Sequence, residues 1–195
     1  MRQLYVGIDP GESHVGYAIL DVKTTHQDRR WTLNMGVRDV AHHGFFRIIE
    51  MIGEAPQISK VSVEMIIESY QQRPVGHQSF NTALTPQFIG AFRFVAHVQD
   101  IPTFMIQPGP VDDLDRLFFT PIIKRWDPGP QTHKNWKHAL SALRVIGIHL
   151  MATTPERIMD LRNAYNILGI DVGWEGDVDC SEDCTTEPVQ WRTPK

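Results

Sequence analysis

The chain opens with short apolar runs and turns to helical periodicity later. Leu4-Tyr5-Val6-Gly7-Ile8 and Val15-Gly16-Tyr17-Ala18-Ile19-Leu20 flank Pro10-Gly11, which predicts two antiparallel strands around a tight turn. Trp31-Thr32-Leu33-Asn34-Met35-Gly36-Val37 alternates apolar and polar positions and suits a third strand. Phe45, Ile48, Ile49 and Ile52 recur at helical spacing, so a helix is expected over residues 40–54, with Pro56 ending it. Val61-Ser62-Val63-Glu64-Met65-Ile66-Ile67 is β-branched and reads as a buried fourth strand. A helix over 87–98 presents Phe88, Ala91, Phe92, Val95 and Ala96 on one face, and 101–106 reads as a fifth strand. Five prolines break up residues 107–133; the longest helical pattern, 135–151, follows. Thr154 and Pro155 are cap and first-turn residues for a last short helix to residue 168. Beyond Asp171 periodicity is poor, and loose or partner-dependent structure is expected. The order β-β-β-α-β-α-β-α predicts an α/β fold, a five-stranded mixed sheet flanked by helices on both faces.

The 195 residues, 42% of them hydrophobic, suffice for one domain with a true core. No run reaches the roughly 18–20 apolar residues of a membrane span. Met1-Arg2-Gln3-Leu4 leads straight into the first strand pattern, which predicts no signal peptide. Cys180 and Cys184 are the only cysteines, too few for a disulfide framework, so a reducing cytoplasm is the expected setting. The net charge of −4 is unevenly spread. From Asp171 onward seven acids face two bases, a net of −5, so the preceding residues carry +1. A neutral body with an acidic tail neither demands nor excludes nucleic acid.

Candidate chemistry begins at Asp9, delivered by an apolar strand to its end. A carboxylate at the mouth of a buried strand pair calls for a cationic partner, and a divalent metal is the simplest. Glu64, inside an otherwise apolar strand, is the second candidate. Asn135 and His138 are three apart on a helix and share a face. Two carboxylates and this polar pair would hold one or two Mg²⁺ or Mn²⁺ ions, which favour oxygen ligands and serve in-line displacement at phosphorus.

These residues carry a resemblance. Gly7-Ile8-Asp9-Pro10-Gly11 with Gly16-Tyr17-Ala18, Ser62-Val63-Glu64, Pro108 with Val111, and the helix from Asn135 resemble, in order and spacing, the RuvC family of Holliday-junction resolvases within the RNase H-like superfamily. The resemblance covers residues 2–151 and leaves 152–195 as an extension with a short helix and the acidic tail. It implies an RNase H-like nuclease domain and a homodimer that cuts two opposed strands of a four-way DNA junction with Mg²⁺ or Mn²⁺. Asp9 and Glu64 match the family's first two acids. Its helix carries an acid, or sometimes histidine, followed three residues later by aspartate; Asn135 and His138 stand there instead. Three readings cover the departure: a histidine variant in which Asn135 is tolerated or engineered, a shifted helix match with Asp127 or His133 as the missing ligand, or a binder that no longer cuts.

The family also places a junction-probing aromatic after the fourth strand. Tyr70 or Phe80 is the candidate for stacking on a base, and Arg73 for a phosphate. Lys124, Arg125, Lys134 and Lys137 are further phosphate contacts. Where the family often has a lysine after the fifth strand this chain has Asp112 and Asp113. The divergence suggests a phage-type member, acting in a bacterial or phage-infected cytoplasm. The alternatives are a non-cleaving branched-DNA binder and another RNase H-like nuclease. Two weaker signals are set aside. Cys180 and Cys184 lack a second pair for zinc. Leu168-Gly169-Ile170-Asp171-Val172-Gly173 echoes the first motif but places Trp174 and Glu175 where a phosphate would sit.

Overall fold

The computed structural model describes residues 2–11, 14–24, 29–39, 50, 61–69, 84–107, 135–154, 156 and 171–175. They form strands β1 (Arg2–Pro10), β2 (His14–Thr24), β3 (Arg29–Asp39), β4 (Val61–Glu68), β5 (Thr103–Ile106) and β6 (Asp171–Glu175), and helices α1 (Leu84–Val98) and α2 (Trp136–Thr153). The helices expected at 40–54 and 155–168 fall almost wholly outside the described residues.

All strands join one sheet in the order β5-β4-β1-β2-β3-β6. β2 runs antiparallel to β1 and β3, whereas β4 is parallel to β1, β5 to β4 and β6 to β3. The five strands read from the sequence are present, in one mixed sheet. The sixth corrects the expectation of loose structure beyond Asp171. Asp171 and Gly173 are poor strand formers, and the five residues pair along the open edge of β3.

Period-two alternation sorts β1 into two faces. Leu4, Val6 and Ile8 join Val15, Tyr17, Val63, Met65 and Ile67 in a cluster with Phe92 and Ala96 of α1. Tyr5 belongs to the opposite cluster, with Leu20, Leu33, Met35, Ile66 and the buried face of α2. The helices therefore cover opposite faces. α1 closes with Asp100 in the left-handed region (φ 54°), while the Ile101 N–H reaches back to Ala96 O at 2.8 Å. That reversal feeds β5 alongside β4. At the sheet end remote from Asp9, Arg2 donates to both carboxylate oxygens of Asp21 at 2.8–3.1 Å and fastens β1 to β2.

α2 lies unusually close to the sheet. A Cβ on Gly7 would sit 2.0 Å from the Ala142 carbonyl oxygen, and one on Gly16 2.1 Å from the His138 carbonyl carbon. Both glycines are needed for this backbone-to-backbone approach. With Ala18, Ala139 and Ala142 also fully buried, they let short side chains on α2 reach the ends of β1 and β4.

Candidate active site

β1 and β4 run parallel with Ile8 opposite Ile67. One residue further on, Asp9 and Glu68 stand side by side at the strand ends, on the face covered by α2. Each is the carboxylate that terminates an apolar strand. Burial, and then the Asp9 charge, push the Glu68 carboxyl above its ordinary value, against the pull of the Ser141 hydrogen bond and of His138 and Arg144.

Two side chains of α2, three apart and so on one face, meet this pair. His138 Nδ1 donates to Asp9 Oδ2 at 2.9 Å, since an ionised carboxylate only accepts. Ser141 Oγ donates to Glu68 Oε2 at 2.5 Å.

The structure brings Asp9 and His138 together but places Glu64 elsewhere. Glu64 pairs in register with Tyr5, four residues before Glu68, about 13 Å along the strand at ~3.3 Å per residue. There Glu64 Oε2 accepts from His149 Nε2 at 2.7 Å, and Oε1 accepts from Gln3 Nε2 at 3.2 Å. His149 is only 3% exposed and packs on the Phe104 ring at 4.3 Å between centroids. A glutamate in an apolar strand is thus explained by a histidine on the covering helix. Glu68, not singled out from the sequence, takes the place beside Asp9. The available signal was its position at the strand end, equivalent to that of Asp9 on a parallel neighbour.

Asn135 is the N-cap residue of α2, one turn before His138, and makes no side-chain capping bond. The pair facing the carboxylates is His138 and Ser141, one turn further along than Asn135 and His138. Lys137 is exposed beside His138. Tyr70, Arg73, Phe80, Lys124, Arg125 and Lys134 lie outside the described residues, as do Asp127 and His133.

The residues suit a divalent cation on charge and donor type. Two carboxylates repel each other on neighbouring strands, and an imidazole lies against one of them. Among the described residues no three His, Cys, Asp or Glu side chains are already gathered as a metal cluster. Among them, too, no helix is long and apolar enough to cross a membrane.

No family model and no curated protein matches the sequence. Among solved structures, the chain is similar to Thermus thermophilus RuvC in complex with Holliday junction substrate, at 16% identity over 73% of this chain and 89% of that one, with a TM-score of 0.48. It is similar to a second Thermus thermophilus RuvC structure at 18% identity over 58% and 68%, TM-score 0.39. It is also similar to Fowlpox virus resolvase with its substrate Holliday junction DNA, at 14% identity over 84% and 93%, TM-score 0.31.

Proposed function

We propose that this chain is a RuvC-like, divalent-metal-dependent endonuclease that resolves four-way or branched DNA junctions by paired phosphodiester hydrolysis as a homodimer. The observation that carries this reading is the placement of Asp9 and Glu68 abreast at the ends of parallel strands, with His138 on Asp9. Residues 1–151 form the nuclease domain, and residues 152–195 an extension that supplies β6. The divergence and the acidic tail fit a phage-type member.

Asp9 and Glu68 would hold the metal, Mg²⁺ or Mn²⁺, with the His138 imidazole beside Asp9 as a nitrogen donor. A divalent ion held by these residues would supply activation of a water nucleophile and compensation of charge developing at phosphorus. The protein's own part is orientation. Asp9 anchors the His138 ring, and Ser141 anchors the Glu68 carboxylate, each through one hydrogen bond. The closely packed α2 keeps bulk water from the inner edges of both carboxylates. Lys137, and in this reading Arg73, Lys124, Arg125 and Lys134, neutralise phosphates, while Tyr70 or Phe80 stacks at the junction centre. Asn135 belongs to the entrance of the site rather than to its donor set.

The test is a labelled four-way junction, a fork and a linear duplex, each with Mg²⁺, Mn²⁺ or EDTA, read for binding and cleavage together. Paired symmetric nicks confined to branched DNA and lost in Asp9→Asn and Glu68→Gln are expected. Cleavage unaffected by Glu68→Gln, or no preference for branched DNA, would overturn the reading. One observation favours a second reading. Ser141 stands three residues after His138, where the family carries an aspartate, and a site short of one carboxylate suits a junction binder that does not cut. That reading predicts metal-independent junction binding without nicks, and cutting gained by Ser141→Asp.

A further inference from the structure

Beside this site stands a further side chain that the assignment above does not use, His14. It opens β2 directly after the turn that carries Asp9. His14 and Gly16 alternate onto the same face of β2, and it is there that α2 presses on Gly16. The His14 ring lies 6.3 Å from that of His138 between centroids, with 19° between the planes. The turn ties them further. A Cβ on Gly11 would lie 2.5 Å from His14 O and 3.0 Å from His138 Cε1. His14 is half-buried, so it is not simply a solvated surface imidazole.

Two imidazoles that share one ion at about 2.1 Å from each nitrogen hold their ring centroids about 5–6 Å apart. The 6.3 Å spacing of His14 and His138 is close to that. The helix side of the site presents His138 and Ser141 and no carboxylate, so imidazole nitrogen is among the donors that face the ion. Imidazole favours borderline transition ions, whereas Mg²⁺ is best served by carboxylates and water.

We infer that His14 is a further donor of this site, and that together with His138 it makes the site selective for nitrogen-preferring divalent transition ions over Mg²⁺. The inference rests on the nuclease reading of Asp9, Glu68 and His138, and it assigns that site its class of ion.

The experiment is a titration of the full chain with Co²⁺, followed by visible d–d absorption and by calorimetry, and a parallel calorimetric titration with Mg²⁺. The proteins are the wild type, His14→Ala, His14→Asn and Asp9→Asn, each checked for an unchanged thermal melt without metal. The wild type is expected to prefer Co²⁺. Both His14 variants should lose about tenfold or more in Co²⁺ affinity, with a weaker and shifted absorption band, while Mg²⁺ affinity stays unchanged. Asp9→Asn should lose both ions. If the His14 variants bind Co²⁺ as the wild type does, or lose Co²⁺ and Mg²⁺ affinity equally, the inference falls while the nuclease reading stands. If the wild type binds neither ion, the nuclease reading falls and takes the inference with it.

Discussion

Two glutamates on one strand face the same helix and have opposite duties. Glu64 is tied to buried His149, so Glu64→Gln should cost about 1–2 kcal/mol of stability, read as a lower Tm, and leave metal binding intact. Glu68→Gln should do the reverse, abolishing metal binding while the metal-free fold becomes more stable at neutral pH. The sign follows from the raised carboxyl. Below the ordinary value of 4.5, folded and unfolded chains are both protonated and Glu68 carries no penalty. As pH climbs through the higher folded value, the folded state must ionise a group held between burial and Asp9, so stability declines. Melting curves across that range in EDTA should slope downward in the wild type and flatten in Glu68→Gln; a slope unchanged by the substitution would contradict the assignment. The exchange of roles explains what the sequence concealed. Asp9 was legible because a turn motif follows it. Glu64 drew attention by its apolar neighbours, but the histidine that satisfies it lies 85 residues away and is invisible without the fold.

At the level of elements, the site depends on how closely α2 can approach β1 and β2. A methyl on Gly16 meets backbone atoms of α2, which have no rotamer to adopt. Gly16→Ala should therefore cost about 3 kcal/mol and push His138 off Asp9. Gly90→Ala is the matched control. It sits in α1 with nothing within 4 Å of the added carbon, and it should stabilise the protein by up to about 1 kcal/mol. Equal effects in chemical denaturation would show that close approach is not what Gly16 provides. The periodicity revealed β1 to β4 and both described helices, because their faces are buried over many residues, and β5 showed as a short apolar run. It placed the active face of α2 one turn early, since an apolar stripe fixes which side of a helix is inward but not which polar residue at its margin meets a partner. β6 left no pattern of its own.

For the molecule as a whole, the homodimer in the proposed function needs a surface. α1 offers a row at four-residue spacing, in which Phe94 is 67% and Val98 60% exposed beside the open Gly90. Phe94→Glu should give a monomer in sedimentation velocity, with metal affinity retained and paired cuts replaced by uncoupled nicks; a dimer that persists would place the interface elsewhere. The sheet has a temporal consequence as well. β3 is complete once residue 39 has left the ribosome, yet its parallel neighbour β6 begins at Asp171. For most of synthesis the nascent chain carries an eleven-residue strand with an unpaired edge, the kind of template that recruits a second nascent chain. Among the described strands the last to be made is the one that retires that hazard, so premature release of the polypeptide would harm solubility before it harmed chemistry.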